Sequence, residues 1–249
     1  MTEGKCAFIG KCDSQKLELT TRSDPDEGKD AAATEDSQGT YWEVPSLQEL
    51  VEILHSAPKS CRHGDEVWAN LFLGDMFLSH DKFGLYQLGI THVLNASHGK
   101  LCCKGNEDFY GTTVKYYGVA ANDLPTFDLS PFFYPAAEFI HHALTSGGTV
   151  WLKMTVVRDD KRLCLGAVSH YFCLLPLPGR ILVHCAVGVS RSAALVLAYL
   201  MIYHHLSLVS SVRCVQQKRW ICPNRGFLRQ LIGLDKKLRE QSVNVLMQH

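Results

Sequence analysis

Cys185 stands six residues before Arg191, within the string His184-Cys185-Ala186-Val187-Gly188-Val189-Ser190-Arg191-Ser192. In a chain with 10 cysteines, a cysteine and an arginine at that separation prove little. Requiring the histidine, the glycine and both serines as well lowers the chance expectation to roughly 10⁻⁵. The spacing has a physical purpose. A cysteine at a strand end, followed by residues that curl into a helix start, lets successive backbone N–H groups point into one concave cradle. Such a nest, aided by the positive end of the helix, holds a dianionic phosphate. Gly188 permits a backbone angle that a side chain resists. Arg191 closes the cradle with a planar fork that matches two phosphate oxygens. The same positive field favours the Cys185 thiolate over the thiol, making it a nucleophile aimed at phosphorus. Taken without these neighbours, Cys185 would read as a small buried residue.

The elements that must position this loop follow from pattern. Arg180 to Val183 reads as a buried strand leading into His184-Cys185, and a strongly apolar helix spans Ser192 to His204. Ser46, with Glu49 three residues on, caps a helix through Leu47, Leu50, Val51 and Leu54. Val67 to Leu73, Thr91 to Asn95 and Val114 to Val119 read as strands, and Asp81 to Gly89 as a short helix closed by glycine. After Ser130-Pro131 a helix runs to about Leu144, with Pro135 delaying or kinking its start. Helices over Leu208 to Arg219 and Arg225 to Arg239 complete the chain. Strands alternating with helices predict an α/β domain whose central, mostly parallel, twisted sheet is flanked by helices. Its phosphate loop lies between a central strand and a helix, beyond the strands' carboxyl ends.

Composition narrows the class. The 249 residues balance 25 basic against 25 acidic side chains, which argues against a dedicated nucleic-acid or membrane-surface protein. The longest apolar run, Ala193 to Ile202, is too short to span a bilayer. Met1 to Lys5 begins no signal peptide, so a cytoplasmic chain, also nuclear, with reduced thiols is expected. Residues 1–40 carry nine acidic and five basic side chains and read as a disordered acidic tail. The catalytic segment is then 41–242, with 243–249 as a second tail. From Ile181 onward the balance reverses to nine basic and two acidic. Cys6 with Cys12, Cys102-Cys103, His141-His142 and His204-His205 lack metal-ligand spacing, and no metal or cofactor is called for.

The Cys185–Ser192 string resembles the protein tyrosine phosphatase superfamily, in its dual-specificity branch. The tyrosine-specific branch has a glycine after the position of Ser192, where Ala193 stands here. Asp65-Glu66-Val67-Trp68, Gly89 to Ala96, Ala121-Asn122-Asp123-Leu124-Pro125 and Pro223 to Leu228 resemble further segments of the small atypical members, which lack a kinase-docking domain. The resemblance implies that Cys185 forms a phosphocysteine and that Arg191 binds the phosphate. It makes Asp123 the general acid and later base, and Ser192 the hydroxyl that assists thiolate departure. The substrate would be held by His184 through Arg191: His184, Cys185, Ala186, Val187, Gly188, Val189, Ser190 and Arg191. Of these, His184 would support the loop from behind.

Read without the resemblance, Asp123 is a turn-capping aspartate before Leu124-Pro125, with Asp128 as its competitor. Asn95 either steadies the phosphate loop or forms a turn. The implied reaction is hydrolysis of phosphotyrosine, and of phosphoserine or phosphothreonine, in proteins. Mitogen-activated protein kinases enter as substrates by family resemblance, and the chain would be a monomer or weak homodimer. Two alternatives stay open, a noncatalytic kinase-binding regulator and a phosphatase of non-protein phosphate esters. The neutral Ala186, Val187 and Val189 count against the latter, which would want basic residues there.

Thr149 to Pro178 does not fit the family pattern. Removing it joins Gly148 to Gly179 and cuts the Asp123-to-Cys185 separation from 62 to 32 residues, as the family expects. Its end, Phe172 to Pro178, is what pyrimidine-rich codons before a splice acceptor would encode. It reads as a retained or mispredicted intron or, if it is real protein, as an apolar loop that emerges opposite the catalytic end.

Overall fold

The structure is a computed structural model that describes residues 34–35, 41–42, 44–56, 62–100, 105–146, 148–156 and 169–246. Strands β1 (Thr34–Glu35) and β2 (Tyr41–Trp42) pair antiparallel. Thr34–Glu35 falls inside the expected tail; the rest of that tail, Cys6, Cys12 and Cys102-Cys103 lie outside the described residues. In α1 (Leu47–Ser56) the Glu49 N–H donates to Ser46 Oγ at 3.1 Å, the cap the sequence predicts.

Val67 to Leu73 is not one strand. Gly64–Trp68 (β3) and Leu71–Gly74 (β4) form an antiparallel hairpin that turns at Asn70, whose φ of 62° is one that asparagine tolerates. Two short helices follow, α2 (Met76–His80) capped by Asp75 and α3 (Lys82–Gln87) capped by Asp81. Next come β5 (His92–Asn95), a short α4 (Glu107–Tyr110) that the sequence did not announce, and β6 (Lys115–Gly118). A 3₁₀ turn over Ser130–Phe132 precedes α5 (Phe133–Thr145). Pro135 is accommodated because the first turn of a helix has no partner for its N–H groups.

The insertion is a hairpin rather than a loop. Its strands β7 (Gly148–Val156) and β8 (Ser169–Leu177) form a separate two-stranded sheet, with Gly148 paired to Leu177 at the base. Then β9 (Ile181–His184) leads through the 185–190 loop to α6 (Arg191–His204), followed by α7 (Leu208–Gln216) and α8 (Arg225–Leu246). Helix α8 therefore continues into the segment expected as a C-terminal tail.

The main sheet has five strands in the order β3-β4-β9-β5-β6, parallel except for the β3–β4 pair. Strand β9 is central, with Ile181 beside Leu71 and His92 at its start, and His184 beside Gly74 and Asn95 at its end. Both faces are covered at the centre of the sheet, where every residue of β4, β9 and β5 is buried, while the edge strands β3 and β6 expose Glu66 and Lys115. Phe72, Val93 and Leu182 pack with Leu85, Ile90 and Tyr110 on one face. Leu71, Leu94, Ile181 and Val183 pack against α5, α6 and α8 on the other. Helix α6 is buried from Arg191 to Met201, which explains an apolar run without a polar face. No helix among the described residues is long and apolar enough to cross a membrane.

Candidate active site

The three strand ends aligned at Gly74, His184 and Asn95 bring their following loops to one edge of the sheet. Between β9 and α6 the chain wraps around Cys185, which is 1 % exposed. The Gly188 N–H donates to Cys185 Sγ at 3.2 Å, and Ser192 Oγ donates to it at 3.2 Å. Gly188 has a φ of 76°, and a Cβ there would run into the carbonyl oxygen of Gly74. The loop thus folds as its spacing predicts, with a donor from its middle and a hydroxyl from the first turn of α6 converging on one sulfur.

Arg191 opens α6 and is buried; its Nη1 donates to the Ala121 carbonyl at 3.2 Å. Its Nε lies 3.5 Å from Asp123 Oδ2, an ion pair between a buried guanidinium and a carboxylate whose side chain is 35 % exposed. Asp123 Oδ1 accepts from Ser190 Oγ at 2.6 Å and from Asn224 Nδ2 at 2.9 Å. Ser190 sits at the N-cap of α6, yet its hydroxyl serves Asp123 rather than the helix. Asp128, the competitor, accepts from the N–H and Oγ of Ser130 and acts as turn punctuation.

His184 is fully buried, and burial is the main reason its pKa falls from 6.5 to about 4. Its ring is neutral at physiological pH, so it carries no charge toward Cys185. A contact with the Cys185 backbone favours the charged ring, but burial outweighs it. Ala186 and Val189 are half-buried, and Val187 is exposed at the rim. Leu124, beside Asp123, is exposed as well.

Asn95 meets both of its sequence readings. Its Oδ1 accepts from the Ser97 N–H at 2.8 Å in a local turn, and its Nδ2 reaches the Tyr116 hydroxyl at 3.1 Å. Ser97 Oγ in turn accepts from the Ala186 N–H at 3.1 Å, so Asn95 acts on the loop through Ser97. Ser97 and Asn224 were not singled out from sequence. Asn224 carried a readable signal, because it also caps α8 by accepting the Phe227 N–H at 3.0 Å.

The histidine pairs have other roles. His141 stacks on Tyr203 with ring centroids 4.1 Å apart, and His204 bonds the Tyr199 hydroxyl at 3.0 Å. Among the described residues no group of three His, Cys, Asp or Glu side chains could hold a metal ion.

Comparison with known proteins agrees with this geometry. Residues 177–237 match the family described as dual specificity phosphatase, catalytic domain, a stretch that begins where the inserted hairpin ends. The chain is similar to dual specificity protein phosphatase 26 of Homo sapiens, at 44 % identity over 212 residues, covering 82 % of this chain and 85 % of the relative. It is also similar to dual specificity protein phosphatase 13B of Homo sapiens, at 44 % identity over 200 residues, covering 80 % of this chain and 85 % of the relative. In fold it resembles the crystal structure of human DUSP28, with a TM-score of 0.54 at 24 % identity, covering 74 % of this chain and 99 % of that one. The loop around a buried thiol accords with these relatives, and they carry the conclusion: the chain belongs to the dual-specificity protein phosphatase family.

Proposed function

We propose that this phosphatase hydrolyses phosphotyrosine, and phosphoserine and phosphothreonine, in proteins through a cysteinyl-phosphate on Cys185. The observation that carries the reading is the pair of donors, Gly188 N–H and Ser192 Oγ–H, aimed at a buried Cys185 Sγ. Sγ attacks phosphorus, the P–O bond to the substrate breaks, and the departing oxygen takes a proton from Asp123. Arg191 binds two of the phosphoryl oxygens and stabilises the charge they gather in the transition state. Water then attacks the phosphocysteine, giving its proton to Asp123. The S–P bond breaks as Ser192 donates to the leaving thiolate, and inorganic phosphate departs.

The rim supports a protein substrate over a polyanionic one. Val187, within the loop, is 64 % exposed and Leu124 is 55 % exposed, so the entrance offers apolar surface rather than extra cations. On the family resemblance we propose mitogen-activated protein kinases as substrates, and on the sequence reading a cytoplasmic and nuclear location.

The test is turnover of phosphotyrosine and phosphothreonine peptides by wild type, Cys185→Ser and Asp123→Ala. Cys185→Ser is expected to abolish release of phosphate while still binding the phosphotyrosine peptide. Full activity in Cys185→Ser would overturn the mechanism.

A further inference from the structure

A loop that turns its N–H groups inward must turn its carbonyls outward, and buried carbonyls need donors. Four carbonyls follow Cys185 in the loop, and each has an identified partner. Ala186 O accepts from the Met76 N–H at 3.2 Å, and Val189 O from the Cys222 N–H at 2.8 Å. Gly188 O accepts from Arg219 Nε at 3.0 Å, and Val187 O from Arg219 Nη2 at 3.5 Å. One side chain therefore holds the middle two, and one of these belongs to Gly188, whose N–H points at Cys185 Sγ.

Arg219 is 3 % exposed and does not lie in the substrate cradle, where Arg191 stands. Its remaining donor, Nη1, reaches Arg62 O at 2.8 Å and Asp65 Oδ2 at 2.9 Å. Asp65 is buried on β3, so the edge strand neutralises a cation that would otherwise be stranded behind the loop. A planar fork of five donors suits this task, because one rigid group fixes two consecutive carbonyls at once.

We propose that the Asp65–Arg219 pair is a positioning device for the phosphate loop. It sets the orientation of the Val187 and Gly188 peptide groups, and through them both the affinity of the cradle for a phosphoryl group and the reactivity of the Cys185 thiolate. The proposal rests on the reading of Cys185 as nucleophile. Neither residue is a catalytic residue, since neither touches substrate. The pair acts only through the loop.

The test uses the full chain as Arg219→Lys and as the double variant Asp65→Asn, Arg219→Gln. The lysine keeps the charge but lacks the fork, and the double variant removes both buried charges together. Three readouts are compared at a temperature where far-ultraviolet circular dichroism shows folded protein. They are kcat/KM on a phosphotyrosine peptide, the inhibition constant of orthovanadate, and the rate of Cys185 alkylation by iodoacetate at fixed pH. Small misplacement of reacting groups costs about 10²-fold. We expect kcat/KM and vanadate affinity to fall together by about 10- to 100-fold. The rate of Cys185 alkylation at fixed pH is expected to fall as well.

Vanadate affinity and alkylation within about twofold of wild type in either folded variant would overturn the proposal. So would collapse of the fold in both variants, which would make the pair a structural staple. Wild-type turnover by Cys185→Ser, assayed in parallel, would instead overturn the nucleophile reading beneath it.

Discussion

Ser190 Oγ donates to Asp123 Oδ1 at 2.6 Å, so the proposed general acid is fastened to the loop that holds the nucleophile. Asn224 Nδ2 adds a second anchor at 2.9 Å from the start of α8. The acid is held in place by two elements far away in sequence rather than by its own turn. Asp123→Ala should therefore lower kcat by about 10²- to 10⁴-fold. The loss should be larger for alkyl phosphates, whose leaving oxygen needs the proton more. Ser190→Ala should give a milder fall of about tenfold in kcat with little change in KM, since it loosens the acid without removing it. Steady-state kinetics on aryl and alkyl phosphates checks both, and equal losses on the two substrate types would refute the acid role.

Gly188→Ala should be damaging well beyond its size. The residue sits at a φ of 76°, and the new methyl would meet Gly74 O and stand 2.8 Å from Arg219 Nη2. Strain of about 1–3 kcal/mol is expected in urea unfolding. Turnover should fall more steeply than stability, because the N–H that reaches Cys185 Sγ moves with the strained residue. A variant with wild-type kcat would show that this N–H is dispensable.

Deleting residues 149–178 should leave the enzyme working. Gly148 and Leu177 are paired at the hairpin base, and a Cβ on Gly179 would stand only 3.2 Å from Ser146 O. The two cut ends already meet, so the shortened connection spans no new gap. Turnover within about twofold of the full chain is expected, with a melting temperature equal or higher because a long loop need not be closed. An inactive or unfolded deletion would show that the hairpin is integral.

Acid should destabilise the fold before it protonates most carboxylates. His184 and His92 both have pKa values lowered from 6.5 to about 4, chiefly by burial, with Lys115 and His142 adding to the effect at His92. Between these values the unfolded chain binds more protons than the folded one, so stability rises with pH through this window. The contribution is complete above about pH 6.5 and is lost as the pH falls toward 4, by at most about 1.4 kcal/mol per pH unit for a fully buried histidine. Urea midpoints from pH 7 to 4 test this, and His92→Gln should flatten the slope. An unchanged slope in that variant would remove His92 from the account.

What was legible in the sequence was what is local. The Cys185 loop is contiguous, so its residue types alone announced a strand–loop–helix turn wrapped around a buried cysteine. Ser46 and Asp81 marked helix starts for the same reason, whereas Ser130, read as a cap, lies inside the 3₁₀ turn ahead of α5 and donates its hydroxyl to Asp128. Val67 to Leu73 was misread as one strand because both arms of the hairpin are apolar, and only Asn70 betrays the turn. Asp123 needed the family resemblance, since the hydroxyl that marks it as special lies 67 residues away. Arg219 and Asp65 are 154 residues apart and left no pattern, because a buried charge pair has no periodicity and each member alone resembles a surface residue. The insertion was visible as a break in the expected spacing, but not as strands.

The aligned ends of β4, β9 and β5 give the molecule two edges with different tolerances. Ile181 starts β9 level with Leu71 and His92, and about 10 Å of strand bonded on both sides separates it from the row at His184. That stretch is mechanical insulation. Chain length can change by tens of residues ahead of Ile181 without a path by which the change reaches Cys185. On the opposite edge a single added residue would throw Cys185, Asp123 and Arg191, the proposed nucleophile, acid and phosphate-binding arginine, out of alignment. The far edge is therefore where this enzyme can take on new segments, whether by evolution or by grafting a reporter domain, while the near edge stays frozen.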